Sequence, residues 1–125
     1  MNVKVWDIRA GQVTHNICGV QTCGDSLDMD SDGKTIVTGG GTSGEGLQVW
    51  DLRNLKEPKM KPSWYPYTEM TEPTINAAKF VQGMGILIAA CSDDVPVKCF
   101  NLKDEGAIVM EYNHLDRSSY TVDVT

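Results

Sequence analysis

The chain has little of what marks an enzyme, a membrane protein or a nucleic-acid binder. Its two histidines, His15 and His114, lie far apart in sequence, and neither a Gly-x-Ser-x-Gly elbow nor a His-Glu-x-x-His pair occurs. Catalysis is therefore not expected, and no cofactor or metal is implied. Basic residues are scarce: 11 Lys and Arg stand against 17 Asp and Glu, for a net charge of −6. The densest basic stretch, Lys56 to Lys61, also holds Glu57. A surface that tracks phosphates needs clustered cations, so nucleic acid is not an expected partner. No apolar run approaches the roughly 20 residues that cross a bilayer, and the opening Met1-Asn2-Val3-Lys4-Val5-Trp6 lacks a leader's apolar core. The expectation is a soluble, cytoplasmic chain without membrane insertion. The four cysteines, Cys18, Cys23, Cys91 and Cys99, form no C-x2-C pair and sit in or beside apolar runs. They read as buried free thiols, not as a zinc knuckle or a disulfide framework.

What is present is a repeat. Val3-Lys4-Val5-Trp6-Asp7-Ile8, Leu47-Gln48-Val49-Trp50-Asp51-Leu52 and Val97-Lys98-Cys99-Phe100-Asn101-Leu102 alternate apolar and polar residues before an aromatic residue followed by Asp or Asn. Such alternation suits a strand with one buried face. Trp50 follows Trp6 by 44 residues and Phe100 follows Trp50 by 50. Blades of a β-propeller repeat at about 40–45 residues, so the second interval needs a modest insertion.

These residues resemble the WD40 family over nearly the whole chain. The resemblance implies an all-β partial WD40 β-propeller of four-stranded antiparallel blades, in a ring this chain alone does not close. It divides the sequence into third and outer strands of a preceding blade (1–18) and a first full unit with outer strand (19–65). A second unit with outer strand (66–112) and an inner strand of a following blade (113–125) complete the division. Outer strands are expected near Gln12 to Ile17, Met60 to Tyr65 and Ala107 to Tyr112, and the last inner strand at Tyr120 to Val124. Many blades of the family hold a buried hydrogen-bonded set of Asp, His, Ser or Thr, and Trp. Here Trp50 and Thr38 match it in the first full unit, but Cys18-Gly19 or Cys23-Gly24 stands for the glycine-histidine pair and Gly44 for the turn Asp. In the second unit Asp94 matches, whereas Phe100 replaces Trp and Ala90 replaces Ser or Thr. The motif positions are thus Trp6, Asp7, Thr38, Trp50, Asp51, Asp94, Phe100 and Asn101.

Other motifs yield to plainer readings. Gly39 to Gly46 is glycine-rich but lacks the Lys-Ser/Thr of a phosphate loop. Asp28-Met29-Asp30-Ser31-Asp32-Gly33 opens like a calcium loop, yet its twelfth position is Gly39 and an Asp-Gly turn between strands accounts for it.

The family resemblance implies a non-enzymatic interaction scaffold or adaptor within a larger assembly, cytoskeletal or ciliary association included. Its partners are proteins, together with another chain or flanking blades that complete the ring. The loops on one face place Gln21, Thr42, Glu45, Tyr67, Glu69, Glu72 and Asp93 as candidate contacts. The insertion from Lys56 to Pro73 adds Trp64 and Tyr65, which serve either a partner-binding edge or packing against the next blade. Trp6-Asp7-Ile8-Arg9 and Trp50-Asp51-Leu52-Arg53 resemble the box by which substrate receptors dock on a cullin-RING ubiquitin-ligase adaptor. Arg9 and Arg53 would meet an acidic partner there, or simply satisfy the blade's own Asp.

Overall fold

A computed structural model describes residues 2–41, 46–92, 96–113 and 115–125. Every regular element in them is a strand: β1 (Asn2–Asp7), β2 (Gln12–Cys18), β3 (Thr22–Met29), β4 (Thr35–Gly40), β5 (Leu47–Asp51), β6 (Ile75–Val81), β7 (Ile86–Cys91), β8 (Val97–Asn101) and β9 (Ala107–Tyr112). Among the described residues no helix is long and apolar enough to cross a membrane.

β1 and β2 form an antiparallel pair, and the other seven strands run in the order β5-β4-β3-β6-β7-β8-β9. That order is two antiparallel meanders joined back to back. β3 and β6 are each the first strand of a meander, and they meet in parallel through one bridge, Asp25 to Ala77. Side chains reinforce this sparse seam. The Asp28 carboxylate accepts the Phe80 amide at 2.9 Å, and Asp30 accepts the Gly83 amide at 3.0 Å. Gln82 donates to the Met29 carbonyl at 3.2 Å, and Lys79 pairs with Asp25 at 3.2 Å. Gly24 makes the approach feasible: its φ is 53°, and a methyl group there would collide with the Asn76 carbonyl.

Two apolar layers lie between successive sheets. Ile17, Val20, Ile36 and Trp50, with Val3, Val5, Leu52 and Leu55 against them, join the β1–β2 pair to the β3–β5 meander. Val37, Leu47, Val49 and Trp64 pack against Phe80, Leu87 and Phe100 and their neighbours, joining the β3–β5 meander to the β6–β9 meander. The middle strands are buried on both faces, β4 from Ile36 to Gly40 and β5 from Leu47 to Trp50, whereas β1 alternates exposed and half-buried residues from Asn2 to Val5.

The β6–β9 meander has four strands and the β3–β5 meander has three. Where an outer strand is expected from Met60 to Tyr65, only Met60 pairs, with Val49, and the chain then leaves the sheet. Pro62 interrupts that stretch and Pro58 and Pro66 flank it, and proline cannot donate to a ladder. The last segment, 115–125, carries no strand either. It lies against the start of the β6–β7 pair, where Asn76 donates to the Ser119 carbonyl at 2.9 Å and the Ser119 amide donates to Cys91 at 3.2 Å.

Candidate functional site

Asp7, Asp51 and Asn101 occupy the same place in three turns. Asp7 Oδ1 accepts the Arg9 amide at 2.8 Å, Asp51 Oδ1 the Arg53 amide at 2.9 Å, and Asn101 Oδ1 the Lys103 amide at 3.0 Å. A short side-chain carbonyl that reaches the amide two residues on is the Asx turn, which explains why Asp or Asn ends each repeat. The aromatic residue before it differs from turn to turn. Trp50 is buried and its Nε1 donates to Thr38 Oγ1 at 2.9 Å. Phe100 is buried without a polar partner, beside Ala89 and Leu87. Trp6 remains exposed.

The two arginines diverge. Arg53 closes on Asp51 with Nε 2.9 Å from Oδ1 and Nη2 2.5 Å from Oδ2. The guanidinium holds the Asp51 carboxyl well below the usual carboxylate range, and the Arg53 amide adds to this. Arg53 therefore satisfies its own sheet's Asp. The exposed Arg9 guanidinium makes no ion pair with any described residue.

The insertion is a braced structure. The Glu72 carboxylate accepts the Ser63 hydroxyl at 2.6 Å and the Trp64 amide at 2.9 Å, which draws the segment into a loop. Trp64 is fully buried against Phe100, with ring centroids 5.7 Å apart. Lys98 crosses from β8 to meet it: its ammonium donates to the Trp64 carbonyl at 2.8 Å and pairs with Glu111 at 2.8 Å. That ammonium also stands 5.4 Å from the Trp64 ring centroid and 5.2 Å from that of Tyr65. A lysine this deeply buried is tolerable because it is both paired and hydrogen-bonded. Trp64 Nε1 is the one buried side-chain polar atom without a hydrogen-bond partner among the described residues.

Beside this brace lies a groove of about 840 Å³, walled by residues 63–68 on one side and residues 104–111 on the other. Tyr65 is half-buried in its wall, and Tyr67 stands at its rim, 95% exposed. Glu69 and Gln21 are exposed, while Glu72 is committed to the loop. The candidates thus part company. Trp64 is buried in the core with Tyr65 half-buried against it, Glu72 is bonded to Ser63 and Trp64 within the insertion, and Tyr67 and Glu69 are exposed. Thr42, Glu45, Asp93, Asp94 and His114 lie outside the described residues.

The calcium-like Asp28 to Gly33 stretch spends its carboxylates on amides. Asp28 and Asp30 hold the seam, and Asp32 accepts the Lys34 and Thr35 amides and the Thr35 hydroxyl, the last being the main reason its carboxyl titrates low. Among the described residues no three His, Cys, Asp or Glu side chains come together as a metal site. Cys18, Cys23, Cys91 and Cys99 are all free, with Cys18 exposed and Cys23 half-buried; burial pushes the Cys99 thiol up.

Lys98 and Glu111 carry no sequence signal, since Lys98 occupies a polar slot in an alternating strand. Only the crossing of the insertion buries it.

No family model matches the sequence. No curated protein matches it either. Solved structures do resemble the fold. The propeller of Dos1 superposes with a TM-score of 0.67 at 19% identity, over 96% of this chain and 29% of that one. The structure of U3-55K does so with a TM-score of 0.67 at 17% identity, over 96% of this chain and 35% of that one. This chain therefore spans about a third of the length of those structures, and its fold is that of a partial β-propeller.

Proposed function

We propose that the chain is a non-enzymatic protein-interaction scaffold built from WD40-type propeller blades and working within a larger assembly. In this reading β1 and β2 end one blade within 1–18, and 19–65 and 66–112 are successive units. Residues 113–125 then lead into a further blade. The observation that carries the proposal is Tyr67. It is almost wholly exposed, yet it sits on a loop fixed from beneath by Glu72, Trp64 and Lys98. A large amphipathic side chain on a braced loop loses little entropy on binding, which is how interface anchors work. The groove beside it offers a concave surface for a partner's side chains.

The test pairs affinity capture with thermal denaturation. Tyr67→Ala should abolish capture of protein partners while leaving the melting temperature unchanged. A fall in melting temperature with capture intact would overturn the proposal.

The ligase-adaptor reading draws support from one residue, Arg9, whose guanidinium is available while Arg53 is engaged by Asp51. It predicts that Arg9→Ala alone abolishes binding of purified adaptor, and that Arg53→Ala has little effect on it. Unchanged binding by the Arg9 variant removes this reading.

A further inference from the structure

β9 pairs with β8 along one edge, and its other edge carries no strand among the described residues. Successive sheets in this fold meet face to face through apolar layers, so a further sheet would cover a face of β9 and leave that edge open. The last segment does not close it either. Residues 115–125 run back to the start of the β6–β7 pair, where Ser119 meets Asn76 and Cys91.

The groove beside the insertion follows this edge. Every residue from Ala107 to Glu111 lines it. Consecutive residues of a strand point to opposite faces, so a groove that touches all of them runs along the edge and not over one face. At mid-strand the pairing with β8 slips between Cys99 and Phe100, which leaves Val109 without a partner across the ladder and its side chain 54% exposed. Val109, Ile108 and the half-buried Tyr65 give the lining its apolar part. Its charge is one-sided. Asp104 and Glu105, in the turn that leads into β9, are exposed and make no ion pair with any described residue. Both lysines of the lining already have partners, Lys98 being held by Glu111 and the Trp64 carbonyl.

We infer that the groove takes an extended segment of a separate partner protein, which pairs antiparallel along the free edge of β9 and ends on a Lys or Arg beside Asp104 and Glu105. The inference rests on the scaffold reading above and adds the partner's conformation and charge. Main-chain hydrogen bonds to an open edge supply affinity, and alternate side chains in the groove supply selectivity. Five residues of β9 span about 17 Å, enough for a short strand. An antiparallel segment runs from the Tyr112 end to the Ala107 end, so its C-terminal end meets the two free carboxylates. Apolar residues at alternate positions cover Tyr65, Ile108 and Val109. A second copy of the chain, at net charge −6, complements this acidic end poorly.

Random peptides of about seven residues, displayed and selected on the 125-residue chain, are the probe. Selected sequences should alternate apolar residues and carry Lys or Arg at the C-terminal end. A selected peptide, synthesised with an amidated C-terminus, should bind the Asp104→Asn, Glu105→Gln double variant about threefold to tenfold more weakly than the parent chain. The melting temperature of that variant should stay unchanged, because neither carboxylate pairs with a described residue. Methylating alternate peptide amides separates strand pairing from side-chain capture. In one phase the methyl groups fall on amides that face β9, and binding should drop about tenfold or more; in the other they face away, and binding should stay within about twofold. Equal effects of the two methylation patterns overturn the inference. So do an absence of selected peptides, selection of acidic or non-alternating ones, and unchanged affinity for the double variant. A dimer of the chain that the peptide disperses in light scattering also overturns it, because a second copy would then hold the edge. Capture of whole partners through Tyr67 is measured separately, so failure here leaves the scaffold reading standing and failure there leaves this one.

Discussion

Trp50 and Trp64 are both buried, yet their indole N–H groups have opposite fates. Trp50 donates to Thr38, whereas Trp64 Nε1 has no partner among the described residues. Replacing Trp50 by Phe removes a hydrogen bond and strands a buried hydroxyl, at a cost of about 1–3 kcal/mol beyond the change in packing. Replacing Trp64 by Phe relieves an unsatisfied donor, so only the packing loss remains. Chemical denaturation should therefore show Trp50→Phe as the more damaging change, and the reverse order would contradict the hydrogen-bond assignment. The turn carboxylates give a second test at this scale. Asp51, held low by Arg53, and Asp32, held low by the Thr35 hydroxyl, have folded pKa values below their unfolded ones. Such groups add stability above the unfolded value of about 3.9, and this is lost as pH falls through the folded value. Melting temperature should thus decline on acidification below about pH 4. Asp51→Asn, which keeps an acceptor for the Arg53 amide, should flatten that decline, and an unaltered acid limb would argue against the ion pair.

At the scale of elements, the strands that repeat were legible in the sequence and the insertion was not. Aromatic-Asp or aromatic-Asn endings mark β1, β5 and β8 because an alternating strand and an Asx turn are both local. β9 likewise covers the stretch expected of an outer strand. Between Met60 and Tyr65 the apolar pattern resembles a strand, but prolines and the Glu72 latch take the chain elsewhere. The choice between edge and packing for Trp64 depended on Lys98, more than thirty residues distant, and no local pattern encodes it. The seam between β3 and β6 was equally hidden, since one bridge and several side-chain bonds replace a ladder. Gly24 is its most sensitive point. Gly24→Ala should destabilise the chain by about 2 kcal/mol or more, because both the backbone conformation and the Asn76 carbonyl oppose a methyl group. Gly11→Ala makes the control. Gly11 also has positive φ, but open space surrounds it, so only the backbone cost of about 1 kcal/mol applies. Equal losses at the two glycines would mean that the seam is not tightly closed.

The described residues form consecutive sheets with apolar layers between them. The proposed scaffold role requires the sheets to stay registered around their parallel inner strands, since Lys98 of β8 holds the Tyr67 loop through Trp64, which packs in the layer shared with Val37 and Val49. Lys98, Trp64 and Glu72 hold the outer side of that arrangement, and the contact of β3 with β6 holds the inner side. The most direct test is proton NMR on the isotopically labelled chain, reading the contacts between these two strands. The account predicts nuclear Overhauser effects that join Asp25 to Ala77 in the parallel pattern, together with a Phe80 amide protected from exchange by the Asp28 carboxylate. Antiparallel contacts between β3 and β6, or none with a freely exchanging Phe80 amide, would contradict it.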